Sequence, residues 1–177
     1  METIAVYWEP IIRTYGFQVQ EGLVLSRLRL PVDSLGQWGH ALKEMADPGP
    51  EFRLVWAQAD DAMHLTVYML SDRIHWCMLQ SVWPAPGDQG NERVDLVFFQ
   101  GPHFGDRYGI MDFTYKALAL EKVPLLAAAC SVATIYLVLP PGWGSRTRTL
   151  LSSAFEIPAT VGSGRGKGET KNSGGQA

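Results

Sequence analysis

Residues 94–140 read VDLVFFQGPHFGDRYGIMDFTYKALALEKVPLLAAACSVATIYLVLP, and this stretch decides the fold. Residues 94–99 are almost all Val, Leu and Phe, side chains that suit a pleated, buried strand. Three glycines four apart, Gly101, Gly105 and Gly109, then turn the chain into a loop. Over residues 110–121 the apolar positions move to helical spacing, which predicts a helix with Ile110, Phe113, Ala117 and Leu118 inward. Residues 125–129 and 134–139 read as two short strands joined by a tight turn, closed by Pro140-Pro141. A short helix over residues 149–155 is expected to follow.

Working outward, the first half shows the same order. Residues 3–8 are rich in strand formers, and Pro10, which supplies no ladder donor, stops them. Residues 23–30 form a second expected strand, ended by Pro31. Asp33 or Ser34 then offers a side-chain oxygen to cap a helix in which Leu35, Trp38, Leu42 and Met45 share one face. Asp47-Pro48-Gly49-Pro50 stops that helix. Residues 52–59 and 63–70 around Asp60-Asp61 predict a β-hairpin, and Ile74, Cys77 and Met78 predict a second helix. Residues 84–91, PAPGDQGN, read as a linker. Strand, helix, strand, strand, helix therefore occurs twice. The class is α+β, two antiparallel sandwiches with helices on one face, each about 70 residues and marginal unless paired with the other.

Composition bounds the function. Hydrophobic residues are 46% and charged residues 19% of 177, which fits a soluble globular core. Net charge is −3. Residues 162–177 carry Arg165, Lys167 and Lys171 against Glu169, so the rest of the chain is more acidic still. No basic stripe exists to neutralise phosphates, so no nucleic-acid partner is expected. The tail is Gly-rich and polar and is expected to be disordered. Residues 123–139 are nearly all apolar, but they fall short of the roughly 20 residues a spanning helix needs and are bounded by prolines, so no membrane span is expected. Glu2 and the lack of a long apolar stretch at the start point to the cytoplasm. Cys77 and Cys130 show no metal-ligand spacing and are expected to be buried free thiols.

The second half resembles the ACT regulatory modules of aspartokinases. The residues carrying this are the strand 94–99, Gly109 at a helix start, Glu121-Lys122 at its end, Ser131 in the turn between paired strands, the β-branched strand 135–139, and Phe155 closing a last helix. The resemblance implies two ferredoxin-like βαββαβ modules packed together. Module 1 would span residues 22–89 and module 2 residues 90–161, with 1–17 contributing a strand to the second module and 162–177 forming the tail. It implies amino-acid sensing without a kinase domain, because nothing here matches the kinase's Lys-Phe-Gly-Gly nucleotide segment. It also implies a homodimer, and ligand contacts at Phe104, Arg107, Ile110, Met111, Leu125 and Leu126. Two positions depart from the family. The turn reads Ala129-Cys130-Ser131-Val132, without the family's Glu, and Leu126 stands where lysine-sensing members can place an Asp. An apolar or uncharged amino acid suits Leu126 better than lysine.

The residues themselves leave two readings of the loop 101–109 open. As a ligand site, Gly105 and Gly109 let backbone approach a ligand, and the helix start offers free N–H groups to a carboxylate. Arg107 adds a bidentate partner for that carboxylate, and Asp106 can receive an α-ammonium. As a purely structural loop, Asp106 caps the helix, Arg107 is its ion-pair partner, and the glycines only shape a turn. His103 lacks a second ligand at metal spacing, so neither a metal nor a cofactor is expected. Asp60-Asp61 fits a hairpin turn better than a carboxylate pair. No catalytic centre emerges, so an enzyme is the weakest reading. A regulatory protein binding an amino acid leads. A subunit that binds a separate metabolic enzyme or its own copy, with no small ligand, is the alternative.

Overall fold

The computed structural model describes residues 11–45, 51–72 and 90–156. Among these residues six strands form one antiparallel sheet: β1 (Phe17–Pro31), β2 (Phe52–Ala59), β3 (His64–Ser71), β4 (Gly90–Gln100), β5 (Ala127–Ser131) and β6 (Thr134–Leu139). Their order is β2-β3-β1-β4-β6-β5. Three helices are described: α1 (Leu35–Met45), after a 3-10 turn at Val32–Ser34, then α2 (Ile110–Leu120) and α3 (Gly144–Ala154).

The path β1-α1-β2-β3 is repeated by β4-α2-β5-β6, so the sheet order is the same read outward from its centre in either direction. Each central strand also serves the other half. Leu23 to Arg27 of β1 pair with Val94 to Gly90 of β4, while Phe17 to Gln20 pair with Phe99 to Leu96. Two ferredoxin-like α+β units thus share β1 and β4. Between the two pairings, β1 carries a bulge at Gln20/Leu23, where Gly22 takes a φ of 73°. The bulge changes which alternate residues face the helices. Before it Phe17 and Val19 join the core under α2 and α3; after it Leu28 and Leu30 pack with Trp38 of α1.

The largest core cluster joins Phe17, Phe99, Phe104 and Phe155 with Ile110, Leu118, Ile135, Leu137 and Leu151. Its rings meet edge-on or tilted, with Phe17–Phe99 centroids 4.7 Å apart and Phe99–Phe155 5.3 Å apart. Such pairs add roughly 0.5–1.5 kcal/mol beyond area burial. Among the described residues one carboxyl group lies inside. Asp95, 2% exposed, accepts N–H bonds from Gly22 (3.3 Å), Gly142 (2.7 Å) and Gly144 (3.0 Å). A buried carboxyl group needs such hydrogen-bond partners. It thereby ties the β1 bulge to the first turn of α3.

Several sequence expectations shift. The strand expected at 23–30 runs over Phe17–Pro31, because both neighbours continue the ladder. Gly90 and Asn91, read as linker, are strand residues paired with Arg27 and Ser26. The strand expected at 125–129 is Ala127–Ser131. The last helix begins at Gly144, five residues earlier than expected, held there by Asp95. A Cβ at Gly144 would stand 2.7 Å from Val19 Cγ1, so glycine marks close packing there rather than a break. In α2 the inward positions are Ile110, Thr114 and Leu118; Phe113 is 37% exposed and meets Phe155 edge-on. Cys130 is exposed, not buried, because β5 is an edge strand. Ser34 donates its hydroxyl to the Pro31 carbonyl at 2.7 Å. The expected strand at 3–8, the helix around Ile74, Cys77 and Met78, and the tail lie outside the described residues. Among the described residues no helix is long and apolar enough to cross a membrane.

Candidate functional site

The loop 101–109 leaves the end of β4 and enters α2. Gly101 is buried, and a Cβ there would overlap the Arg13 carbonyl and the Phe104 ring, so only glycine fits. Phe104 turns inward, 8% exposed, edge-on to Phe99 at 5.8 Å. Gly105 is exposed beside Val132 of the β5–β6 turn, where an added Cβ would meet Val132 at 3.6 Å. The loop closes on itself through an Asp106 N–H to His103 carbonyl bond of 3.0 Å, and His103 takes a positive φ of 62°.

Gly109 is the N-cap of α2, with a φ of 85°, and no side chain caps the helix start. Asp106, which the sequence offers as a cap, therefore does not serve as one. The first turn's N–H groups face an approach left open by glycine, the arrangement that favours an anion. Asp112 in that turn is paired with Lys116 at 2.6 Å. Arg107 does not pair with Asp106 here; its Nη1 donates to the Ile11 carbonyl at 3.1 Å.

Phe104 and Ile110 are buried in the large core cluster, and Met111 and Leu125 pack against it. Leu126 is 40% exposed, and its N–H donates to the Val138 carbonyl at 2.9 Å. The fold therefore brings Phe104, Ile110, Met111 and Leu125 to one cluster, leaves Gly105, Asp106 and Gly109 exposed above it, and engages Arg107 with backbone. Of the remaining candidates, Asp60 and Asp61 form the β2–β3 turn. Asp61 Oδ1 accepts the Met63 and His64 N–H groups at 2.7 and 2.8 Å, and Arg29 bridges both carboxylates. The Met63 N–H holds the Asp61 carboxyl below its ordinary value. Among the described residues no group of three His, Cys, Asp or Glu side chains is placed to hold a metal.

Two groups are invisible as sites in the sequence. Asp95 shows only as a charge inside an apolar strand. Gln18, Gln100 and Thr134 stand together solely because β1, β4 and β6 pair.

No model of a known protein family matches the sequence, and no curated protein matches it. Solved structures do. The regulatory subunit of aspartate kinase from Thermus flavus matches with a TM-score of 0.69 at 12% identity, over 81% of this chain and 99% of that one. Aspartate kinase from Synechocystis matches with a TM-score of 0.70 at 13% identity, over 83% of this chain and 27% of the kinase. E. coli aspartokinase III in complex with lysine and aspartate matches with a TM-score of 0.55 at 12% identity, over 85% of this chain and 35% of that one. The chain carries the tandem ACT fold of the aspartate kinase regulatory region.

Proposed function

We propose that this chain is a non-catalytic regulatory protein that binds an amino acid at the loop 101–109. The observation that carries this is the start of α2: an N-terminus with no side-chain cap, entered through a left-handed glycine, above an apolar cluster that includes Phe104, Ile110 and Leu125. In this reading the ligand carboxylate meets the first-turn N–H groups of α2, with Gly105 and Gly109 giving room, and Asp106 receives the α-ammonium. The side chain lies against Phe104, Met111, Leu125 and Leu126. Arg107 joins the carboxylate by exchanging the Ile11 carbonyl for it. Lysine is in the E. coli aspartokinase III structure; Leu126 here favours an uncharged side chain. Residues 22–89 and 90–161 act as the two modules, 1–17 completes the second, and the protein works in the cytoplasm as a homodimer.

A melting screen against the twenty amino acids tests this. A ligand that binds the folded state raises Tm by mass action. One amino acid is expected to do so at millimolar concentration, and Asp106→Ala is expected to abolish the rise. No shift with any of the twenty sinks the proposal. A second reading, an interaction subunit for a separate metabolic enzyme, is favoured by the engagement of Arg107 with Ile11 and by the exposure of Tyr108, Leu120 and Val132. It predicts co-purification of an enzyme with no response to amino acids.

A further inference from the structure

The described helices cover one face of the sheet. On the other, where β1, β4 and β6 end together, lies a cavity of about 280 Å³. Strand register builds it in two rows. Gln18, Phe98 and Tyr136 stand side by side, and Gln100 and Thr134 form the next row along. Phe98 and Tyr136 stack with centroids 6.0 Å apart and an interplanar angle of 22°. Tyr15 borders the cavity, tied to Gln100 by an N–H to carbonyl bond of 2.8 Å. Gln20, the next residue on the same face of β1, holds its Oε1 buried without a hydrogen-bond partner.

The chemistry of this lining is selective. Among the described residues it contains aromatic rings, two amides and hydroxyls, and no charged side chain. Gln18 and Gln100 stand at its open side, and no lining side chain offers a counter-charge to a carboxylate, ammonium or phosphate. A purely apolar molecule would leave the amides and hydroxyls unpaired. What remains is a neutral, flat molecule with hydrogen-bonding groups at its edge. A glutamine amide presents a donor and an acceptor side by side, which matches the paired acceptor and donor on the edge of a nucleobase. Rings of that class also stack on aromatic side chains. The volume lies just below the roughly 300–1,000 Å³ of small-molecule sites, suited to a small ligand.

We propose that this cavity binds an uncharged nucleobase or nucleoside, its edge against the Gln18 and Gln100 amides and its ring against Phe98 and Tyr136. The site is separate from the loop 101–109 and does not rest on the amino-acid reading. Isothermal titration of the full chain with adenine, uracil, adenosine and uridine tests it, with AMP, glucose and the amino acids as controls. Saturable binding of a base or nucleoside is expected, at least about tenfold tighter than AMP or glucose. Tyr136→Leu and Gln100→Ala are each expected to weaken it about tenfold while leaving any amino-acid response intact. Should Tyr136→Leu fail to fold, Gln18→Glu, at an exposed position, replaces it and is expected to abolish binding by placing a carboxylate in the site. No saturation by any base or nucleoside at millimolar concentration overturns the proposal. So does equal binding of glucose or AMP, or an affinity unchanged by these substitutions.

Discussion

The two halves of the sheet follow the same path but are held differently. Around β4, β6 and β5 the helices bury Ile110, Thr114, Leu118, Thr147 and Leu151, the phenylalanine cluster fills the centre, and Asp95 holds three backbone N–H groups from two segments. Around β2, β3 and the second part of β1 the described cover is thinner: among the described residues it is α1 alone. In α1, Trp38 and Leu42 are only half-buried, and Gly39 costs about 1 kcal/mol relative to alanine in a helix interior. The strands there are laced by exposed ion pairs: Arg27 with Glu92, Arg29 with Asp60 and Asp61, and Arg53 with Asp72. Such pairs contribute about 0–1 kcal/mol each. The firm half carries the loop 101–109 on a well-packed base.

The sharpest test of this contrast is a pair of truncations. Phe155→Ala, in the firm half, is expected to cost about 3–5 kcal/mol in chemical denaturation. Trp38→Ala, in the thin half, is expected to cost about 1–2 kcal/mol, since its ring is only partly withdrawn from water. Equal losses would break the comparison. Next comes the buried carboxyl group. Asp95→Ala leaves three backbone N–H groups without their acceptor and is expected to cost about 3 kcal/mol. Arg27→Ala removes only an exposed pair and is expected to cost under about 1 kcal/mol.

A smaller effect runs the other way. Val132 is β-branched yet holds a φ of 44° in the β5–β6 turn, 84% exposed. Val132→Gly is expected to raise stability by up to about 1 kcal/mol, read as a higher denaturation midpoint. A loss would show that Val132 packs against the loop rather than merely straining the turn. The least effect is expected at Asp61, an exposed residue whose carboxyl is held below its ordinary value by the Met63 N–H. A lowered folded value means its stabilisation is present above the ordinary value and fades as pH falls through the folded one. Asp61→Asn is therefore expected to lessen, slightly, the loss of stability between about pH 5 and pH 3. An unchanged pH profile would show that this turn adds nothing to the thin half.

Much of the fold is legible in local pattern. The β2–β3 hairpin follows from two strand runs around Asp60-Asp61, and α2 from the change to helical spacing at Ile110. Local pattern fails where a distant group decides. The start of α3 reads as turn because Trp143-Gly144-Ser145 lacks helical spacing; Asp95, 49 residues away, accepts the Gly144 N–H and fixes the helix there. Cys130 reads as buried in an apolar run, yet its strand has a neighbour on one side only. For the candidate site, the glycine-rich loop and its helix are visible in sequence. The engagement of Arg107 by the Ile11 carbonyl is not, because it joins residues 96 apart.

By itself the sequence determines the α+β class, the doubled order of elements and the position of the loop 101–109. Side-chain period, glycine and proline act over a few residues and need no partner to be read. Only the tertiary structure decides that β1 and β4 serve both units, that the bulge at Gly22 turns one strand to face two cores, and that three strand ends enclose a cavity. Those depend on pairing between residues far apart in the chain, where register and burial, not local propensity, set the outcome.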